Sequence, residues 1–461
     1  MTQGRGAVLG VAAYHVVTTV PLGMHGLIRG PMLESNDPQG DWMTTFKADE
    51  DEQLNAQEPA PFPSAGGLKA LRLPRRGAAA TDPARSGVIG ERTRSDERDN
   101  VQARGTLEPG SVDYEAFYAR HPEWRRKDDL IRALPGMGRV GSPLDTPLLG
   151  TQHDFLARLG MSDVVDGPVA PERRSLTPER AAEKVKGFAR HLGADLVRVG
   201  PLDPVNVYTH VGKTWGDPER SLGQPIEVTH RNAISVAVGL SPAMLSTGPV
   251  LPEVVEVMRV YVRLATIAVT LAGYIRALGY GARAQVMPNY QVLTVPVAID
   301  SGMGELGRHG LLITKELGSA LKLATVTTDL PMAFDQPRDI GVAEFCRDCR
   351  ICAESCPGGA IPRGEQTVRD GVRKWRINPE ACFSVWNSTG TDCGVCLASC
   401  PWTNPRTAFH RLCVEVASRK LKAGWWMSRA DTLAYGRFKP GAVPAWFEAP
   451  ASSWKKYKRL R

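Results

Sequence analysis

The chain has 461 residues, with 57 Lys+Arg against 49 Asp+Glu for a net charge of +8, which is enough polypeptide for two or three domains and a substantial core. With 42% hydrophobic and 23% charged residues it is composed like an ordinary soluble protein, which excludes a mainly disordered, fibrous or polytopic membrane chain. The charge surplus is spread thinly, with a short basic run only at 455–459, and does not call for nucleic acid as a partner.

Residues 7–28 are fairly apolar but are interrupted by His15, Pro21 and His25 and end without a small-residue cleavage site. They read as a packed N-terminal element rather than a signal peptide or membrane anchor. No Arg-Arg pair stands near the start, so a twin-arginine export signal is not visible. From 34 to 110 the composition turns polar, and the acidic run Asp49-Glu50-Asp51-Glu52 reads as a solvated face. Residues 78–105 show little apolar periodicity and read as a loop or a segment wrapping the surface. Between 113 and 331 helical and strand patterns alternate, which predicts an α/β or α+β domain. A helix is expected over 181–192, stopped at Gly193, with strands over 196–200 and 233–240. A longer helix is expected over 252–278, with Pro252 near its start and Gly279 at its C-cap. Its apolar positions Val257, Val260, Tyr261, Leu264, Ile267, Ala268, Leu271, Ile275 and Leu278 recur at steps of three and four. Tyr261 is therefore expected on the buried face, where its hydroxyl needs a partner. Gly302-Met303-Gly304-Glu305-Leu306-Gly307 is a weak dinucleotide fingerprint, because no good helix follows it.

All nine cysteines lie between Cys346 and Cys413, so they form one local device rather than a dispersed disulfide framework. Cys346-x2-Cys349-x2-Cys352-x3-Cys356-Pro357 is followed by Cys382 and by Cys393-x2-Cys396-x3-Cys400-Pro401. The first run has bacterial ferredoxin spacing, in which three cysteines hold one 4Fe-4S cluster and the fourth crosses to the other. On that logic Cys346, Cys349, Cys352 and Cys400 hold one cluster, and Cys356, Cys382, Cys393 and Cys396 hold the second. A pair of structural zinc sites is the alternative, disfavoured by the three-cysteine run and its Cys-Pro ending. Gly358, Gly359 and Gly394 permit close backbone approach to the sulfurs, and Cys413 is left over as a small hydrophobe. Two such clusters conduct single electrons, so the larger upstream domain is expected to hold the acceptor.

The ordered set formed by the cysteine motif, Gly193-Ala194-Asp195-Leu196-Val197 with Val207-Tyr208, Tyr274-Ile275-Arg276-Ala277-Leu278-Gly279-Tyr280-Gly281-Ala282, Gly304-Glu305-Leu306-Gly307-Arg308-His309-Gly310 with Ile313-Thr314, and Thr328-Asp329-Leu330-Pro331 resembles the corrinoid-dependent reductive dehalogenases. The resemblance covers roughly 113–410. It implies a nitroreductase-like domain that binds cobalamin base-off, close to the first cluster, followed by a bacterial ferredoxin-like domain with two 4Fe-4S clusters. It further implies that cobalt as Co(I) acts on an organohalide, that halide leaves, and that a tyrosine supplies the replacing proton with a nearby Lys or Arg stabilising the phenolate. Placed by motif, the tyrosine is Tyr261, its basic partner Lys322, and an accompanying asparagine Asn289. Trp386, between Cys382 and Cys393, falls where the family places a bulky side chain over the substrate pocket. Taken singly, each has a plainer reading: Tyr261 as core, Lys322 as a solvated charge, Asn289 as a turn residue, Trp386 as packing, and Arg308 as a partner for Glu305.

The expected division is an N-terminal, partly loop-like segment (1–110), a cobalamin and substrate domain (111–335), a ferredoxin-like domain (336–412) and a tail packed on the core (413–461). Its partners are a small-molecule organohalide and an external donor such as ferredoxin, flavodoxin or a reductase, with room for a membrane-anchor protein. The expected location is cytoplasmic or membrane-associated. The rival enzyme is epoxyqueuosine reductase, which shares the corrinoid and cluster layout but would carry Arg-Asp-Tyr-His where this chain has Arg259-Val260-Tyr261-Val262. A ferredoxin-type electron carrier without chemistry of its own is the other alternative.

Overall fold

The computed structural model describes residues 87–403 apart from 137 and 139–141, together with 414–415, 429 and 438–448. The apolar segment at 7–28, the acidic run, Cys413 and the basic run at 455–459 lie outside the described residues.

Helices α1 (Val101–Gly105), α2 (Val112–Arg120), α3 (Pro122–Arg132), α4 (Thr146–Leu159), α5 (Ser162–Val165) and α6 (Pro178–His191) come first. They lead into β1 (Leu196–Pro201), β2 (Asn232–Gly239), α7 (Pro242–Leu245), α8 (Leu251–Ala277), β3 (Ala282–Gln285) and α9 (Thr294–Asp300). The short strands β4 (Glu305–Leu306) and β5 (Leu312–Ile313) precede β6 (Leu321–Thr328). The cysteine region carries α10 (Val342–Asp348), α11 (Ile351–Ser355), the hairpin of β7 (Thr367–Arg369) and β8 (Val372–Lys374), α12 (Pro379–Thr389) and α13 (Val395–Ala398).

Four strands form the main sheet in the order β1-β2-β6-β3, each pair antiparallel. An antiparallel sheet with helices packed on its faces is α+β architecture. Strand side chains alternate between faces. Val197, Val199, Ile234, Val236, Val238, Ala282, Ala284, Ala324 and Val326 share one core with Val257, Val260, Leu264, Ile267 and Leu271 of α8. The intervening Ala237 and Leu321 pack instead with Ala298 and Ile299 of α9. By the same alternation Lys322, paired with Val238, falls on the α8 face. That face is where Tyr261 lies.

The expected long helix matches α8 to within one residue at each end, with Pro252 in its first turn. Gly279 follows the Leu278 cap rather than forming it, at φ +85°, the left-handed turn-off that glycine takes without a Cβ clash. α6 starts at Pro178, earlier than the expected 181, because the Thr177 side chain accepts from Arg180 N and Pro178 fills the first turn. Within the expected loop at 78–105, Glu97–Asp99 forms a 3-10 turn and α1 follows, capped by Asp96 and Asn100. Elements so short are set by their caps and have no periodicity to read. No helix among the described residues is long and apolar enough to cross a membrane.

Candidate functional site

Eight free thiols lie in the cysteine region among the described residues. Cys346, Cys349 and Cys400 share one buried cluster with Phe345, Trp375 and Trp402, and the Cys352 thiol is acted on by Cys400, Cys346 and Cys349. The Cys396 thiol is acted on by Cys382 and Cys356, and the Cys393 thiol by Cys396, Glu253 and Cys382. Burial first, then neighbouring thiolates, pushes Cys346 up to about 12 and Cys382 up to about 11. Thiols packed this way ionise together only around positive charge, so the donor set fits two iron–sulfur clusters. Gly358 and Gly394 also permit close packing of other segments: a Cβ on Gly358 would meet Ala381 O at 2.7 Å, and one on Gly394 would meet Glu253 Oε1 at 2.3 Å.

The segment from Glu305 to Gly310 frames the first cysteine run. Arg308 is buried, and its Nε and Nη2 donate to Cys346 O at 2.9 and 2.7 Å. Nη2 also reaches Arg347 O at 3.1 Å, while Nη1 donates to Pro362 O and Gly364 O at 2.9 and 2.8 Å. The guanidinium lies 4.5 Å from the centroid of the Trp375 ring. Arg308 thus does not pair with Glu305; that carboxylate instead accepts from the backbone N of Ile340 and Val342 at the start of α10. Burial pushes Glu305 up to about 7.

The β5–β6 turn locks onto the chain just past Cys400. Ser319 N and Oγ contact Thr403 Oγ1 at 3.2 and 2.7 Å. Gly318 has φ +59°, and a Cβ there would stand 2.0 Å from Trp402 O. Gly318→Ala combines left-handed strain with a backbone clash, so it is expected to destabilise by about 2 kcal/mol or more. A lower urea midpoint with reduced iron content is the measurement that checks this.

The second thiol set lies against the start of α8. Thr391 Oγ1 donates to Pro249 O at 3.2 Å, and a Cβ on Gly248 would stand 2.3 Å from Cys393 O. Farther along α8, Lys322 Nζ stands 5.3 Å from the centroid of the Tyr261 ring. Burial opposes the charge on Lys322, but Tyr261, Asp392, Glu253 and Cys396 outweigh it and hold the ammonium above the usual lysine range. Of the thiols, Cys396 is the one whose charge acts on Lys322. The Tyr261 ring packs on the core while remaining half-buried, and no hydrogen bond among the described residues reaches its hydroxyl. The expected buried hydroxyl with a partner is thus corrected. α8 buries the ring's flank against the core and leaves the polar end unpaired.

Glu253 is fully buried beside Asp392. Burial, then the Asp392 charge, pushes its carboxyl well above the ordinary range. Asn289 is buried, accepting from Arg283 Nη2 at 2.7 Å and donating to Asp217 at 3.3 Å. Trp386 is half-buried on α12, edge-on to Phe383 at 6.0 Å. Tyr261 and Lys322 are thus brought together, while the described contacts of Asn289 and Trp386 are with other residues.

For a corrinoid, the structural observation is a set of orphaned polar atoms. Among the described residues, Ser399 Oγ, Asp392 Oδ1 and the Glu253 carboxylate are buried without hydrogen-bond partners, and the amides on a corrinoid rim would offer both donors and acceptors. The residues present fit the group. Glu253, Asp392 and the full role of Arg308 had no signal in the sequence: an acidic residue in a first helical turn reads as dipole compensation, and Arg308 reads as a partner for the neighbouring Glu305.

The cysteine region, residues 345–404, matches the model of a 4Fe-4S dicluster domain. The architecture is that of a solved catabolic reductive dehalogenase, with a TM-score of 0.63 at 24% identity over 80% of this chain and 52% of that one. In sequence the chain is 30% identical over 275 residues to tetrachloroethene reductive dehalogenase of Desulfitobacterium hafniense, covering 50% of each. A shorter match, 31% over 136 residues, covers 26% of this chain and 34% of epoxyqueuosine reductase of Salmonella typhimurium. The chain spans about half the length of the tetrachloroethene relative it matches. The resemblance to the reductive dehalogenases is therefore borne out, with an α+β domain followed by a ferredoxin-like two-cluster domain.

Proposed function

We propose that this protein is an oxidoreductase that removes halide from an organohalide, using base-off cobalamin and two 4Fe-4S clusters. The observation that carries this reading is the Tyr261–Lys322 pair, set on facing elements beside the thiol set that borders α8. In this reading Cys346, Cys349, Cys352 and Cys400 hold one cluster, and Cys356, Cys382, Cys393 and Cys396 the other. The corrinoid, when bound, supplies low-valent cobalt, as Co(I), at which the carbon–halogen bond breaks. Two electrons and one proton replace the halogen by hydrogen, and halide leaves. The electrons come singly from an external donor through the clusters. Tyr261 gives the proton from its hydroxyl, and the Lys322 ammonium stabilises the phenolate that remains. Asn289 and Trp386 are assigned to the pocket around the substrate.

The epoxyqueuosine reductase alternative is supported by the shorter sequence match. It is disfavoured by Val260 and Val262, which flank Tyr261 where an aspartate and a histidine would be required.

The test is metal stoichiometry after anaerobic reconstitution with hydroxocobalamin, followed by a halide-release screen. About eight irons and one cobalt per chain are expected, with halide released under reducing conditions. Iron without cobalt would move the reading to an electron carrier, and zinc in place of iron would overturn it.

A further inference from the structure

A second group of buried charges is gathered around Tyr290 and takes no part in the chemistry above. Lys213 Nζ donates to the Tyr290 hydroxyl oxygen at 2.6 Å and stands 3.5 Å from Glu97 Oε1. Arg220, with its side chain 6% exposed, lies 3.7 Å from Glu97 Oε2, too far for a hydrogen bond. Its Nη1 and Nη2 are shut off from solvent with no hydrogen-bond partner. Glu97 Oε2 accepts instead from Gly212 N at 2.8 Å.

The neighbouring charges are already engaged. Arg283 donates to Gln285 Oε1, Asn289 Oδ1 and Ala284 O, with the half-exposed Asp166 at 3.7 Å. Asp217 accepts from Ser162 N and Oγ, Asn289 Nδ2 and Glu219 N. The buried cations Lys213, Arg220 and Arg283 thus outnumber the buried carboxylates Glu97 and Asp217.

Asn289, assigned above to the substrate pocket, adjoins this group through its hydrogen bonds with Arg283 and Asp217. Burial raises the Tyr290 pKa and keeps its hydroxyl protonated. Because the hydroxyl oxygen accepts from Lys213, its own proton is free to be donated elsewhere. A guanidinium cannot shed its charge, and although Glu97 Oε1 is also buried without a partner, no acceptor among the described residues lies within hydrogen-bond distance of Arg220 Nη1 or Nη2, so an oxygen from outside the chain would satisfy them. The planar fork of Arg220, a phenol donor and an excess of positive charge together suit an anionic oxygen group.

We propose that Arg220 and the Tyr290–Lys213 pair form a subsite for a carboxylate, phenolate or phosphate oxygen. It is carried either by the organohalide substrate or by the phosphate of the corrinoid's nucleotide tail. The inference rests on the reading that assigns Asn289 to the substrate pocket. If the substrate carries the anion, the enzyme acts on halogenated acids or phenols in preference to neutral organohalides.

The test reads equilibrium binding, not turnover, on cluster-reconstituted protein loaded with hydroxocobalamin. It is titrated with 3-chlorobenzoate and with its neutral counterpart 3-chlorobenzamide. Binding of cobalamin is compared with that of cobinamide, which lacks the phosphate tail. For a substrate anion, Arg220→Gln is expected to weaken chlorobenzoate about 30-fold while chlorobenzamide changes less than about twofold, and Arg220→Lys restores part of the loss. For the corrinoid as source, Arg220→Gln weakens cobalamin and leaves cobinamide unchanged. Equal losses for every ligand at unchanged iron content, or no loss at all, would overturn the subsite. Protein that takes up no cobalt but still separates benzoate from benzamide would keep the subsite and sink the dehalogenase reading instead.

Discussion

Replacing Tyr261 with phenylalanine is expected to cut halide release by about 1000-fold, because a positioned general acid contributes about 100- to 10,000-fold, while iron, sulfide and cobalt contents stay unchanged. The substitution is unusually clean. The Tyr261 hydroxyl has no hydrogen bond among the described residues, so its removal orphans no partner. The ring keeps its packing on the α8–sheet core and its contact with Lys322. Stability should therefore shift by no more than about 0.5 kcal/mol, the range of a substitution that breaks none of the large-effect features. A loss of activity at constant thermal midpoint and constant metal content isolates the proton. Halide release at the parent rate would remove Tyr261 from the mechanism. Lys322→Gln is the companion variant and is expected to be less clean, because Lys322 also balances Glu253, Asp392 and Cys396. Its loss should cost stability as well as rate.

Much of the frame was legible in the sequence because it is local. The period of three and four that places Val257, Val260, Leu264 and Leu271 on one stripe defines α8 to within a residue, and the cysteine spacing defines a dicluster device before any fold is known. The Tyr261–Lys322 pair was reachable only by resemblance. Its geometry follows from strand alternation, which puts Lys322 on the same face as Ala324 and Val326, but the order β1-β2-β6-β3 that brings β6 under α8 is a long-range fact with no local signature. The same holds for Arg308, whose acceptors lie 38 to 56 positions along the chain. It holds equally for Glu253, which meets Gly394 and Asp392 only because the second thiol set folds back onto the start of α8. Arg220 and Lys213 carry no pattern either, and their burial depends on Glu97, from a stretch whose periodicity predicts only loop.

Arg308→Met is the variant expected to separate the two clusters. Methionine fills much of the arginine stem but supplies no donors, so the carbonyls of Cys346, Arg347, Pro362 and Gly364 each lose an N–H partner. A buried acceptor left unsatisfied costs about 1–3 kcal/mol. Arg347 and Gly364 are exposed and can turn to water, whereas Cys346 is buried and accepts two of the bonds. A net loss of about 3–5 kcal/mol is therefore expected, comparable to breaking a buried charged network. The loss falls on one side of the device. Arg308 ties α10 to the residues following the first cysteine run, while the second thiol set is held by the Thr391–Pro249 and Gly248–Cys393 contacts at α8. Iron should fall from about eight to about four per chain, with one cluster signal remaining by electron paramagnetic resonance. Loss of both clusters would mean that the two sets fold as one unit. Retention of about eight irons would mean that the thiolates alone fix the α10 backbone, leaving the five guanidinium hydrogen bonds without a role in cluster assembly.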